Sequence, residues 1–184
     1  VVDENRAIPV DPRPPEDHAL MAQPLGTVIL AMRRVPPVLG QRVAVIGQGP
    51  MGQLFCATLR NLGARQIIAI DKLGYRLETS LKMGATDVVN SSEVDPVEAV
   101  KSLTDGEGAD LVIEVVGHTE QVLNLCVDLG RVDSTILFFG VPMDVIEEIH
   151  WRKLFWNRQK VVTSVGPDFA TDFPLAMQWI AEGR

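Results

Sequence analysis

Cysteine and histidine are scarce in this chain, with two and three copies among 184 residues. Cys56 and Cys126 lie 70 positions apart inside apolar helical patterns. That placement suits buried free thiols and argues against the dense disulfide framework of a small secreted domain. His18, His118 and His150 are equally dispersed, and no His or Cys pair has the close spacing of a tetrahedral zinc site, so no metal ligand is expected. Basic charge is also in deficit. Against 24 Asp and Glu stand 17 scattered Lys and Arg, a net charge of −7 that argues against nucleic acid as a partner. Long apolar runs are missing too. The longest, around Val28–Met32, falls far short of the roughly 20 residues that span a bilayer, and no basic-then-apolar leader opens the sequence. A cytoplasmic, soluble protein with no membrane role is the expectation.

What remains is a chain rich enough in apolar residues to close a core, with 46% hydrophobic against 22% charged, which argues against extended disorder. From about residue 42 onward, short aliphatic runs alternate with amphipathic stretches. The runs are Val43–Ile46, Gln66–Asp71, Asp87–Asn90, Asp110–Val116, Ser134–Gly140 and Val161–Val165. Their starts are 23, 21, 23, 24 and 27 residues apart, room each time for one strand, one helix and two short loops. Six strands at that pitch predict a parallel sheet with right-handed crossovers. The strands are apolar almost throughout, so both faces of the sheet should be covered. An α/β fold with a doubly wound, six-stranded parallel sheet is therefore expected.

Period-3.6 patterning predicts helices over Met51–Leu62, Tyr75–Met83 and Thr119–Leu129, each followed by a glycine, at Gly63, Gly84 and Gly130. His18–Val35 reads as a helix ahead of the first strand and Asp172–Glu182 as a final one. The segment Met143–Lys160, with Trp151 and Trp156, is rich in charge, and its tryptophans suit packing or a subunit interface. Five prolines in the first 24 residues suit a connector, and the last residues stop where a helix would end. A piece of a longer protein is expected on that basis.

Directly after the first strand comes Gly47-Gln48-Gly49-Pro50-Met51-Gly52, which opens a helix. The spacing has a physical reading: Gly47 for the tight turn, Gly49 for close approach of a pyrophosphate, Gly52 for close packing of helix on strand. The free N–H groups of the helix end would face the anion, and Pro50 sits in the first turn, where a missing N–H loses no partner. The second strand ends in Asp71, 19 residues past Gly52, near the ~20 expected of the acid that holds an adenosine ribose. A carboxylate there accepts from the ribose hydroxyls and repels a 2′-phosphate, which favours NAD over NADP. Lys72 and Arg76 lie close enough in sequence to soften that preference. The plainer alternatives are a glycine loop that is only a strand–helix turn and an Asp71 that only caps the next helix.

Taken in order, a series of segments resembles the medium-chain zinc-type alcohol dehydrogenase and reductase family, which includes sorbitol and threonine dehydrogenases. The segments are Ala22-Gln23-Pro24-Leu25-Gly26-Thr27, Val43 through Gly52, Gly63-Ala64 with Asp71 and Arg76, Lys82-Met83-Gly84-Ala85-Thr86 with Val88-Val89-Asn90, and Gly108-Ala109-Asp110 leading into Val112 through Gly117. The resemblance implies a Rossmann cofactor domain over 36–184, with 1–35 as linker and connecting helix. It implies that Val116 and Gly117 lie against the adenosine side of NAD. Gly140, Val141 and Pro142 would hold the nicotinamide amide through their backbone, and Thr27 would lie near the nicotinamide ring. In the family the catalytic zinc and most substrate contacts sit on an N-terminal barrel-like domain, and nothing here matches its Cys and Gly-His-Glu motifs. Many polyol-type members have Glu-Pro-Leu where this chain has Gln23-Pro24-Leu25. A neutral amide does not replace that charge, so no metal-linked role is expected of Gln23.

The resulting expectation is the NAD-binding domain of an alcohol or polyol dehydrogenase, inactive alone, with no catalytic residue and no metal ligand of its own. Its partners would be a small-molecule alcohol in the full-length protein and a second copy paired along the fifth and sixth strands, giving a dimer. The alternatives are a zinc-free quinone or enoyl reductase of the same family, a non-catalytic NAD-responsive module, and a methyltransferase binding S-adenosylmethionine.

Overall fold

The computed structural model describes residues 8–119 and 121–184. Its strands are β1 (Arg42–Ile46), β2 (Gln66–Asp71), β3 (Asp87–Asn90), β4 (Ala109–Glu114), β5 (Gly130–Phe138) and β6 (Lys160–Thr163). The helices are α1 (Glu16–Ala19), α2 (Ala22–Arg33), α3 (Pro50–Asn61), α4 (Gly74–Lys82), α5 (Pro96–Leu103), α6 (Gln121–Leu129), α7 (Trp151–Trp156) and α8 (Asp172–Ala181). All strand pairs are parallel, in the order β3-β2-β1-β4-β5-β6. This is the doubly wound sheet that the strand cadence predicts.

Alternation along the strands sends side chains to two separate cores. Val43, Val45, Ile67, Ala69, Leu111, Ile113 and Leu137 pack with residues of α2, α3, α4 and α8 on one face. Ala44, Ile46, Ile68, Ile70, Val112, Ile136 and Phe138 pack with α5 and α6 on the other. Because β1 is flanked by β2 and β4, and the connections leave toward opposite faces, a crevice opens beyond the carboxyl ends of β1 and β4. The glycine loop, the end of β2 and the loops after β4 and β5 all lie at that rim.

Three differences from the expected elements stand out beyond shifts of one or two residues at other ends. The single helix predicted over His18–Val35 is two, broken at Leu20 and Met21. Pro24 explains the break, since its ring lacks the N–H that would reach the Leu20 carbonyl and would clash with that group in a continuous helix. β5 starts at Gly130 instead of Ser134, running straight on from α6. An irregularity absorbs the extra residues: Ala109 pairs with Gly130 but Leu111 pairs with Thr135. Asp133 lies there at φ 63° and accepts two hydrogen bonds from Arg158. In the third case α7 forms within the charged segment after β5, and its tryptophans are not packed inside: Trp151 and Trp156 are 65% and 66% exposed.

Candidate functional site

β1 delivers the chain to the rim at Gly47, whose φ is 94° and whose N–H donates to the Ile70 carbonyl at 2.8 Å. A side chain here would be strained by the backbone and would meet Val116 Cγ2 at 2.9 Å. Gly52, in the first turn of α3, is tighter still. A Cβ on it would lie 2.0 Å from the Gly47 carbonyl oxygen, so the helix approaches the strand turn as closely as a bare backbone allows. Gly49 is the contrasting case, with nothing within 4 Å of where its Cβ would be. It is the N-cap of α3, no side chain caps the helix, and Pro50 opens it. The first-turn N–H groups of Met51 and Gly52 therefore sit at a helix start with open space in front of Gly49, the geometry that attracts an anion.

Asp71, 9% exposed, is tied into this loop. The Gln48 N–H donates to its Oδ2 at 2.7 Å, the Leu73 N–H to its Oδ1 at 2.9 Å, and the Arg76 guanidinium lies 3.5 Å away. Arg76 also reaches over the Tyr75 ring. Asp71 caps no helix by side chain, since α4 has Leu73 as its N-cap with no such bond. Lys72 is exposed, and only its backbone carbonyl takes part, accepting from Ser92 Oγ.

Beneath the loop lies a buried polar cluster that the glycine spacing does not announce. Gln48 is 1% exposed; its Nε2 donates to the Val45 carbonyl, and its Oε1 accepts from Ser80 Oγ at 3.0 Å and from the Cys56 thiol at 3.4 Å. Burial pushes the Cys56 thiol up to about 12, so it stays a neutral donor. Gln53 Nε2 lies within bonding distance of the Gln48 and Arg76 carbonyls and Ser80 Oγ. The glycine loop is thus pinned to α4 from below. A run of polar residues at positions 48, 53 and 80, each at an otherwise apolar helix or loop face, was the available signal.

On the other side of the crevice, the loop after β4 and the loop after β5 meet. Gly117 has φ 66°, and His118 donates its N–H to the Val141 carbonyl at 2.8 Å. Val116 and Val141 are exposed, as is Pro142, while Gly117 is buried. Glu114, the fully buried last residue of β4, accepts from the N–H groups of Val116 and Gly117 at 2.7 Å each and from Gly140 at 3.0 Å. Sequence patterning missed Glu114, although a lone acid in an apolar central strand is itself a signal. Thr27 lies half-buried on α2, and its two side-chain hydrogen bonds, both with Gln23, stay within that helix.

The structure therefore brings Gly47, Gly49, Pro50, Met51, Gly52, Asp71 and Arg76 together on one side of the crevice. Val116, Gly117, Gly140 and Val141 form the other side, joined to the first through the Gly47 and Val116 contact. His18, His118 and His150 are exposed, and both cysteines are fully buried free thiols. Among the described residues, no group of three or more His, Cys, Asp or Glu side chains could hold a metal ion. No helix of the described residues is long and apolar enough to cross a membrane.

Comparison with known proteins gives the family. Residues 50–182 match the family model described as zinc-binding dehydrogenase. L-threonine 3-dehydrogenase of Bacillus subtilis strain 168 is 43% identical over 181 residues, covering 85% of this chain and 51% of that protein. Sorbitol dehydrogenase of the same strain is 34% identical over 167 residues, covering 91% and 46%. A candidate zinc-binding dehydrogenase of Sinorhizobium meliloti 1021, solved bound to NADP, superposes with a TM-score of 0.90 at 24% identity, over 99% of this chain and 53% of that one. The chain spans about half the length of these curated relatives. The relatives do not favour the quinone reductase, responsive-module or methyltransferase alternatives. With well over half of its residues matched by the model, the chain belongs to the zinc-binding dehydrogenase family.

Proposed function

We propose that this chain is the NAD-binding half of a dehydrogenase that oxidises a small alcohol or polyol. The observation that carries the reading is the open, uncapped start of α3 at Gly49, set beside the buried carboxylate of Asp71. The amides of Gly49, Met51 and Gly52 would receive the pyrophosphate, and Asp71 would accept from the adenosine ribose hydroxyls. Val116 and Gly117 would line the adenosine side. Gly140, Val141 and Pro142 would hold the carboxamide, with Thr27 near the ring. Bound NAD would supply the hydride acceptor, and these residues would bind and orient it.

Arg76 shares its charge with Asp71, whose carboxylate repels a 2′-phosphate, and this supports NAD over NADP; the exposed Lys72 ammonium is the charge left to soften that preference. In this reading residues 36–184 form the cofactor domain and 1–35 the connection, although α2 also contributes Val28, Ile29 and Met32 to the core. Zinc and the alcohol site belong to sequence outside these 184 residues, and the protein works in the cytoplasm. Calorimetric titration tests the core of this: saturable NAD binding, NADP at least about tenfold weaker, and no alcohol oxidation by the chain alone. NADP binding as tight as NAD, or binding of neither, would sink it.

The oligomer belongs to the same reading. β6 is an edge strand with Val161 45% exposed, and Trp151, Phe155 and Trp156 stand exposed nearby in sequence on α7. An uncovered edge beside exposed aromatics supports pairing with a second copy. Sedimentation should find a dimer that Val161→Lys converts to monomer, because a charge on the edge opposes strand pairing; a monomeric wild type would rule the dimer out.

A further inference from the structure

The buried acid at the end of β4 has a pattern of partners that points to a task. Glu114 is fully buried, and a carboxylate in that position is tolerated only when donors surround it. Its side-chain donors here are three backbone N–H groups, Val116 and Gly117 on Oε1 and Gly140 on Oε2. They come from two different loops, one after β4 and one after β5. Those loops touch so closely that a Cβ on Gly140 would lie 2.4 Å from the Gly117 nitrogen and 2.5 Å from Glu114 Oε2. Burial, and after it the charge of Glu114, pushes the Cys126 thiol well above its ordinary range.

We propose that Glu114 is a positioning residue: its carboxylate clamps the loop after β4 to the loop after β5 and so fixes the floor under the nicotinamide end of the dinucleotide. The proposal rests on the cofactor reading above. The carboxylate offers both oxygens as acceptors, and each of the three donors points an N–H at one of them. A glutamine of the same shape can offer its single oxygen to the Val116 and Gly117 pair, but its amino group then faces the Gly140 N–H, donor against donor. Gly140 keeps a second acceptor in the Glu114 backbone carbonyl at 3.1 Å, so the strand end stays attached and the damage is local to the β5 loop.

Glu114→Gln therefore separates the two ends of the ligand. Titration with NAD and with ADP-ribose, which lacks the nicotinamide ring, is the measurement, with thermal unfolding run alongside. NAD should bind about tenfold more weakly and ADP-ribose less than about twofold more weakly, as loss of one charge-assisted hydrogen bond under one end implies. Equal weakening of both ligands, or no weakening of NAD, overturns the clamp while leaving the cofactor reading intact. A wild type that binds neither ligand overturns the cofactor reading itself, and the clamp with it. Glu114→Asp keeps the charge and can still accept from the N–H groups two and three residues on, but is one carbon too short for the Gly140 N–H across the junction, and should reproduce the selective loss. If Glu114→Gln does not fold, that variant decides.

Discussion

Asp71→Ala should weaken NAD binding by about 100-fold and lower stability by about 2 kcal/mol in the same protein. Two losses coincide. The ribose would lose its acceptor, and the Gln48 and Leu73 N–H groups would lose theirs, at 2.7 and 2.9 Å. Hydrogen bonds to a charged acceptor contribute about 1.5–3 kcal/mol, and an orphaned buried donor costs a further ~1–3 kcal/mol, so losing even one of these outweighs any relaxation of the loop. The Gln48 N–H belongs to the middle of the glycine turn, and its release would loosen the pyrophosphate amides as well. Asp71→Asn keeps one acceptor and removes the charge. It should bind NAD about tenfold less well and lose most of its discrimination against NADP. Titration with both dinucleotides checks this, and a folded alanine variant with unchanged NAD affinity would falsify it.

Gly52→Ala is the other large effect, and it acts through the scaffold. The added methyl would sit 2.0 Å from the Gly47 carbonyl oxygen and 3.0 Å from its carbon. Both are backbone atoms, so no rotamer change relieves the overlap and the start of α3 must move off β1. Overpacking of this kind costs about 1–3 kcal/mol or more, while alanine returns only ~1 kcal/mol of helix propensity. A net loss of about 2 kcal/mol is expected in chemical denaturation, together with loss of measurable NAD binding, because the helix start that would hold the pyrophosphate has shifted. Gly49→Ala provides the contrast. Its backbone is at φ −71° and its methyl would meet nothing within 4 Å, so stability should hold within about 0.5 kcal/mol while binding weakens. Equal stability for the two variants would remove the distinction between the packing glycine and the ligand-facing one.

Strand cadence and glycine spacing make the sheet legible in the sequence, because a two-sided parallel sheet writes itself as apolar runs at a near-constant pitch. Gln66–Asp71 and Asp87–Asn90 are strands at the expected ends. What patterning could not see depends on partners distant in sequence. The early start of β5 follows from a register shift against β4, whereas the break ahead of Ala22 was a local signal, Pro24 acting on Leu20, that the period-3.6 pattern passes over. In the site, the glycine loop and Asp71 were legible because a fixed spacing carries them. Their direct bond through the Gln48 N–H was not, since it arises from the pairing of Ile46 with Ile70. Ser80 and Glu114 were missed for the same reason: Ser80 finds Gln48 32 positions away, and Glu114 finds Gly140 26 positions away.

The strand order also sets a timetable for folding during synthesis. β1, β2 and β3 are consecutive both in the chain and in the sheet, so they can assemble as soon as Asn90 is available. The second neighbour of β1 is β4, whose Asp110 side chain meets the Arg42 amide from 68 positions along the chain. Until β4 arrives, one edge of Val43–Ile46 stands with its amides and carbonyls unpaired. Closing so long a loop is slow compared with hairpin formation, and an open apolar edge is a template for pairing with another nascent chain. The crossover that creates the crevice at the ends of β1 and β4 therefore also sets the interval in which a chaperone has most to protect.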